Sequence, residues 1–290
     1  MSHFKMDSKC RIHTYMTKNN ANTTLVSTFK PFTTDTGTEI RRLEDIPRDM
    51  TFKQGVRRKG MEVAPHTHQL GQLLYASSGI MQVMAEGAIW ITPPQRAVWI
   101  PPGTVHALKV IHTVTLRNVY FAPRIISGLP ASCQVMAITP LMRELIAEAV
   151  TFPTLYDPDG MEGRLCRLIL DLLKTAPAAP LHLPVPDHGP IQKIAAYLKD
   201  HPSDKTTLEA WAARLGTTSR TLARNFKSQT DMTFGQWRQQ ARLLEALSRI
   251  AGNRPIAHIA QDLGYSSQSA FSAMFKKALG VTPGNYFKNN

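Results

Sequence analysis

One segment near the C-terminal end of this chain occurs twice. Leu208-Glu-Ala-Trp-Ala-Ala-Arg-Leu-Gly216 is matched by Ile256-Ala-His-Ile-Ala-Gln-Asp-Leu-Gly264 at an offset of 48; each opens on an apolar residue and carries Ala fifth, Leu eighth and Gly ninth. Past the glycine, Leu222-x-x-x-Phe226-Lys227 recurs as Phe271-x-x-x-Phe275-Lys276 at an offset of 49, and Thr233-Phe-Gly235-Gln-Trp237 recurs as Thr282-Pro-Gly284-Asn-Tyr286. A single residue inserted in the turn accounts for the change of offset.

Each copy reads as a helix, a glycine turn and a second helix. Thr206-x-x-Glu209 is a capping box for the first helix, and Pro255 suits the first position of its counterpart. Gly216 and Gly264 follow the last apolar residue, where a helix ends in the left-handed conformation. The second helices start near Thr218 and Ser267 and are polar and basic, the pattern of a helix-turn-helix. Between the copies, Trp237, Ala241, Leu244, Leu247 and Ile250 fall at helical spacing over Phe234 to Ala251. One stiff helix there would hold two recognition helices about 34 Å apart, the spacing of successive major grooves on one DNA face. The apolar positions alone would also fit a plain bundle with a duplicated hairpin. Charge weighs against that: residues 188–290 carry 14 Lys and Arg against 6 Asp and Glu, a net of +8, while residues 1–187 carry 20 against 15, a net of +5. Such an excess suits a polyanionic partner.

The rest of the chain is organised differently. Thr175 to Pro190 holds Pro177, Pro180, Pro184, Pro186 and Pro190, cannot be a helix, and reads as an interdomain linker. Before it lie two helical patterns, about Pro140 to Val150 and about Met161 to Lys174, the second with Leu165, Leu168, Ile169, Leu172 and Leu173 on one stripe. That stripe suits a dimer surface or a face packed on the preceding domain. From Thr51 to about Pro123 short apolar runs (Leu73 to Tyr75, Ile80 to Met84, Val114 to Phe121) are separated by Gly, Pro and Ser, with Glu86-Gly87 as a hairpin turn; they predict a barrel or sandwich. Residues 1–48 show no clean period and are expected to be a poorly ordered extension. Cys10, Cys133 and Cys166 offer neither a disulfide framework nor a metal spacing and are expected to be free thiols. No apolar run approaches the ~20 residues of a membrane span, and the N-terminus has no signal core, so a cytoplasmic protein is expected.

Residues from about 190 to 288, through Gly280-Val-Thr-Pro-Gly-Asn-Tyr286, resemble the DNA-binding domain of the AraC/XylS regulators. The resemblance implies that the first recognition helix presents Arg220, Thr221 and Arg224 to DNA, and the second Gln268, Ser269, Ser272 and Ala273. Arg pairs well with guanine O6 and N7. Ala273 stands where relatives often carry a longer polar side chain, which leaves Gln268 as the better base reader. Lys227, Lys276 and Lys277 are read as phosphate contacts, or as merely solvated.

Further upstream, Gly60-x5-His66-x-His68-x3-Gln72-x6-Gly79 and Pro101-x-Gly103-x2-His106 resemble the two motifs of the cupins. Residues i and i+2 of a strand share a face, so His66 and His68 point together, and a hairpin can bring in Gln72 and His106. Three imidazoles and one oxygen suit a divalent metal such as Fe, Ni or Zn. Gln72 replaces the usual Glu, and Gln95 and Val110 replace the usual Gly and Asn; a neutral Gln weakens the pull on a cation. Cupins joined to such a DNA-binding domain often keep the barrel without a metal, by the same resemblance. Two readings stay open, a metal site and a polar patch in an effector pocket, for which Trp90, Trp99, Tyr75 and Met84 are candidate liners.

The expected architecture is multidomain α+β: an N-terminal cupin-like β-barrel followed by an all-α domain with two helix-turn-helix units. The segments are 1–48 extension, 49–135 barrel, 136–175 helical hairpin, 176–190 linker and 191–290 DNA-binding domain. The expected function is a sequence-specific transcription regulator, activator or repressor, switched by a small-molecule effector in the barrel. Its expected partners are duplex DNA, the effector, RNA polymerase and a second copy of the chain, and its expected targets a neighbouring transporter or catabolic operon, as the resemblance implies. No catalytic residues are expected; the alternative is a metal-dependent cupin enzyme fused to a DNA-binding domain.

Overall fold

The computed structural model describes residues 32–33 and 38–287. A small ladder of β1 (Phe32–Thr33) and β2 (Glu39–Ile40) precedes the main sheet. The sheet contains β3 (Met50–Arg57), β4 (Glu62–His66), β5 (Gly71–Ala85), β6 (Ala88–Thr92), β7 (Arg96–Ile100), β8 (His106–Phe121), β9 (Gln134–Ala137), β10 (Ala178–Ala179) and β11 (His182–Pro184). Its path runs β10-β9-β7-β5-β6-β11, and β8 pairs with β3, β4 and β5. Glu86 and Gly87 both have positive φ (50° and 68°) and join Ala85 to Ala88, the two-residue hairpin the sequence predicts.

Long strands keep one face inward only by breaking their own alternation. The β5–β8 register shifts between Ala76 and Met81. Before the shift Leu74 and Ala76 point to the inner core and Leu73 and Tyr75 away from it; after it Met81, Val83 and Ala85 point inward. Unbroken alternation would turn Met81 and Val83 onto the face of Leu73. Gly79 sits in the shift at φ +77°, where a Cβ would lie 2.1 Å from the Thr113 carbonyl oxygen.

The outer face, with Leu73, Tyr75, Trp99 and Phe121, is covered by α1 (Pro140–Ala149) and α2 (Met161–Lys174). Thr139 caps α1, its hydroxyl accepting from the Met142 amide at 3.2 Å. Ile169 and Leu173 of the leucine stripe are fully buried against the sheet, Leu165 and Leu172 are half-buried, and Leu168 stays exposed. Tyr75 and Trp99, candidate pocket liners, therefore face the helices rather than the interior.

Two expectations need correction. The proline-rich segment is not a free linker: β10 pairs with β9 and β11 with β6, so both ends of the sheet path are joined through Pro180 and the fully buried Leu181. Proline fits here because an edge strand can spare amide donors. Nor is all of 1–48 disordered. Ile40 and Ile46 are buried, Glu44 accepts from the Gln69 amide at 2.7 Å, and Arg48 donates to the Tyr156 carbonyl at 2.6 Å. Most of that segment, with Cys10, lies outside the described residues; Cys133 and Cys166 are free and buried.

The helical domain comprises α3 (Gly189–Asp200), α4 (Leu208–Arg214), α5 (Ser219–Thr230), α6 (Phe234–Ala251), α7 (Ile256–Asp262) and α8 (Gln268–Leu279). The repeat is a packing device: Leu222 and Phe226 of α5, and Phe271 and Phe275 of α8, are all fully buried. Gly216 (φ +62°) and Gly264 (φ +78°) take the left-handed conformation expected of them. The cap of α4 is Thr207, which accepts from the Ala210 amide at 3.2 Å, because the Thr206 hydroxyl donates to Asp204 at 3.1 Å. Pro255 is the cap residue of α7 rather than its first helical position. Among the described residues no helix is long and apolar enough to cross a membrane.

Candidate functional site

The two second helices are built alike. Thr218 and Ser267 cap them, their hydroxyls accepting from the Thr221 amide at 3.2 Å and the Ala270 amide at 3.1 Å. Turning Leu222 and Phe226, or Phe271 and Phe275, into the core fixes the opposite faces outward. On α5 these faces expose Arg220 and Arg224, with Thr221 half-buried; on α8 they expose Gln268, Ser269, Ala273, Lys276 and Lys277, with Ser272 half-buried.

Many cations of this domain are tied inward. Arg242 donates to the carbonyls of Pro202 and Asp204, Arg238 to that of Thr206, and Arg249 and Arg254 both pair with Asp262 at 2.9 Å. Lys227 is held too: its ammonium donates to the Asp231 carbonyl at 2.8 Å and pairs with that carboxylate at 2.7 Å, closing the end of α5. Among the described residues, Arg220, Arg224, Lys276 and Lys277 have no hydrogen-bond or ion-pair partner. For the arginines the sequence holds little signal for this sorting, since their anchors are backbone carbonyls or the carboxylate of Asp262; the Lys227–Asp231 pair, at i,i+4, is a local one.

At one end of the sheet, β4 and β8 place His66 opposite His106. His68 lies just past β4, yet its ring centroid is 5.2 Å from that of His106; His66 and His106 are 4.2 Å apart. Candidate donor atoms of the three rings lie within 4.8 Å of one another. Gln72, buried on β5, brings Oε1 to 3.0 Å from His68 Nε2. All four residues of the two motifs are therefore together. Each ring is oriented through Nδ1, which donates to a backbone carbonyl: His66 to Ala64 at 2.9 Å, His68 to Leu70 at 2.8 Å, His106 to Thr104 at 2.9 Å. A carbonyl only accepts, so every Nε2 carries a lone pair while the rings are neutral. Burial pushes the His106 pKa down to about 4, the Thr104 contact opposing it and the two neighbouring rings adding to it. Burial also lowers that of His66. Tyr120, within the Val114 to Phe121 run, is a member the motifs do not mark: its hydroxyl lies 3.5 Å from Gln72 Nε2, and burial raises its pKa to about 12. Only the pairing of Gln72 with Tyr120 across β5 and β8 could have flagged it.

Two clefts lie elsewhere. One of about 370 Å³ is bounded by Arg48, Arg124, Tyr156 and Arg167; another of about 300 Å³ separates Gln82 and His112 of the sheet from Glu245, Arg249 and Arg254. Neither includes His66, His68 or His106.

A sheet domain with a polar cluster at its end, joined to a doubled helix-turn-helix, defines a two-domain DNA-binding regulator. Residues 55–194 match the model of the AraC-like ligand binding domain, and residues 211–289 that of a helix-turn-helix domain. The chain is 37% identical over 221 residues to the HTH-type transcriptional regulator NimR of Escherichia coli, covering 76% of this chain and 81% of NimR. It is 35% identical over 97 residues to the regulatory protein SoxS of Escherichia coli, covering 33% of this chain and 91% of SoxS. A structure of ToxT from Vibrio cholerae with an unsaturated fatty acid bound covers 82% of this chain and 94% of that one at 13% identity, with a TM-score of 0.34, too low to argue from. The chain belongs to the AraC family of transcriptional regulators. Its N-terminal cupin-like domain is of the ligand-binding type, and the relatives it matches are named as regulators rather than enzymes.

Proposed function

We propose that α5 and α8 read duplex DNA, with Arg220, Thr221 and Arg224 on the first and Gln268, Ser269 and Ser272 on the second directed to base edges, and with Lys276 and Lys277 on phosphates. The observation that carries this reading is the set of four partnerless cations on two equivalent, identically capped helices. Lys227 is reassigned from phosphate contact to closing α5, because Asp231 already holds it. The polar end of the sheet, formed by His66, His68, Gln72 and His106, is the sensing site, and its small-molecule occupant shifts the affinity for DNA by favouring one state. Leu141, Met161 and Leu168, exposed on α1 and α2, are where a second copy of the chain packs. The protein acts in the cytoplasm as a regulator, with RNA polymerase beside it, and not as an enzyme, in keeping with the regulators it is similar to.

The test is selection of bound fragments from the source genome with the full chain, followed by titration of the enriched duplex. Affinity for it should exceed that for random duplex by about 10³-fold or more. Between about 50 and 200 mM salt it should fall steeply, as counterion release requires. Equal affinity for both duplexes would overturn the reading of bases by α5 and α8.

A further inference from the structure

We propose that the cleft bounded by Arg48, Arg124 and Arg167, on the helix-covered side of the sheet, binds a small organic monoanion, a carboxylate with an apolar body. The site is separate from the histidine cluster and does not rest on the sensing role given to it.

Charge sets the sign of the occupant. Three guanidinium groups and two carboxylates, those of Asp49 and Asp159, line the cleft, which leaves one positive charge. Arg124 pairs with Asp49 at 2.7 Å. Arg48 and Arg167 pair with no carboxylate among the described residues. Arg48 donates to the carbonyls of Pro47, Leu155 and Tyr156, and Arg167 to that of Pro158. A backbone carbonyl orients a guanidinium without cancelling its charge, and both arginines keep N–H groups beyond these bonds. Burial raises the pKa of the Tyr156 phenol and of the Cys166 thiol, so the floor adds no negative charge at neutral pH. A monoanion balances the remaining charge, whereas a dianion would exceed it beside Asp49 and Asp159. A planar carboxylate also fits the guanidinium fork.

Shape sets the body. At about 370 Å³ the cleft has the size of a small-molecule site. Its floor is apolar, with Met50, Tyr156 and Cys166 buried and Ile125 and Leu170 half-buried. The Arg48 guanidinium lies over the Tyr156 ring, 5.6 Å from its centroid, so charged and apolar surfaces meet along one wall. That wall is set in advance. Gly163 of α2 lies so close to Pro158 that a Cβ there would overlap the Pro158 carbonyl. A cleft already formed loses little freedom when it is filled.

The experiment titrates the untagged full chain by calorimetry with hexanoate, phenylacetate and indole-3-acetate, and with the neutral amide of each. At least one acid should bind at one site about tenfold or more tighter than its own amide, the worth of a hydrogen bond to a charged group. Arg167→Gln, at an exposed position, should weaken that acid by about tenfold or more. Arg167→Lys keeps the charge without the fork and should fall between the two. His66→Ala should leave the affinity unchanged within about twofold. Any of four results overturns the proposal: no acid bound below about 10 mM, acids and amides of equal affinity, Arg167→Gln equal to the wild type, or an equal loss in His66→Ala, which would move the acid to the histidine cluster. Phenyl phosphate binding more tightly than every acid would overturn the choice of a monoanion. No DNA is present, so this result and the operator titration stand or fall separately.

Discussion

His112 Nε2 donates to the Ser248 carbonyl oxygen at 2.8 Å, tying β8 of the sheet domain to the last turn of the helix that separates the two helix-turn-helix units. Carbonyls in a final helical turn lack an amide partner four residues on, and His112 supplies one from the other domain. The two are in close contact: a Cβ at Gly252 would lie 3.0 Å from the His112 ring. With Trp237 Nε1 donating to the Pro184 carbonyl at 2.8 Å, α6 is held at both ends by the domain that senses. His112→Ala should cost about 0.5–1.5 kcal/mol of docking, the net worth of such a bond. Amide exchange should quicken in residues 248–252 while β5 and β8 stay protected. Unaltered exchange there would show that this bond does not hold the domains together.

Arg224 is exposed on α5 and without a partner among the described residues, so none of them competes for its guanidinium. Arg224→Ala should cost about 1–3 kcal/mol on the selected duplex and relax preference at one base pair. Arg242→Ala should instead lower folding stability, because Arg242 clamps the carbonyls of Pro202 and Asp204. Paired operator titrations and urea unfolding of the two variants separate base reading from anchoring; a stability loss in Arg224→Ala without an affinity loss would reverse the assignment.

Local signals were the legible ones. The apolar spacing and glycines of the repeat marked α4, α5, α7 and α8, and the Phe234–Ala251 periodicity matched α6 at both ends. The capping residue of α4 was missed by one position, because two adjacent threonines are equivalent until Asp204 occupies Thr206. The histidine motifs pointed to residues the fold brings together, although His66 and His106 meet only through a β4–β8 pairing across forty residues. Which face Tyr75 and Trp99 take was hidden, since strands covered on both sides read as unbroken apolar runs. The role of Pro180 to Pro184 as a sheet edge was hidden for a different reason: proline reports only what the backbone cannot do.

His182 offers a pH test away from the histidine cluster. Its ring stacks on Trp90 with centroids 4.8 Å apart, and burial lowers its pKa below the usual 6.5. The unfolded chain therefore takes up a proton at this ring at higher pH than the native chain does. Stability from the neutral ring is fully present above about pH 6.5 and is lost as pH falls through the depressed native value. His182→Phe keeps an aromatic partner for Trp90 and removes the titration. Urea unfolding at pH 7.5 and 5.5 should show the wild type losing more stability than the variant at the lower pH; equal losses would mean that the ring titrates as in the unfolded chain.

Gly79 and Gly87 separate two costs that a glycine can carry. Both have positive φ, +77° and +68°, and alanine at either would be strained by the left-handed conformation, at about 1–3 kcal/mol. At Gly87 nothing lies within 4 Å of where the alanine methyl would sit, whereas at Gly79 the Thr113 carbonyl oxygen would be 2.1 Å away and its carbon 2.9 Å. That carbonyl belongs to β8 and cannot withdraw without loosening the register shift that turns Met81 and Val83 inward. Gly87→Ala should therefore unfold at slightly lower urea with an unchanged slope, and Gly79→Ala should lose clearly more. Matching midpoints for the two variants would mean that β8 gives way freely at Thr113, and that the shift is held by the side chains around it rather than by the bare backbone at Gly79.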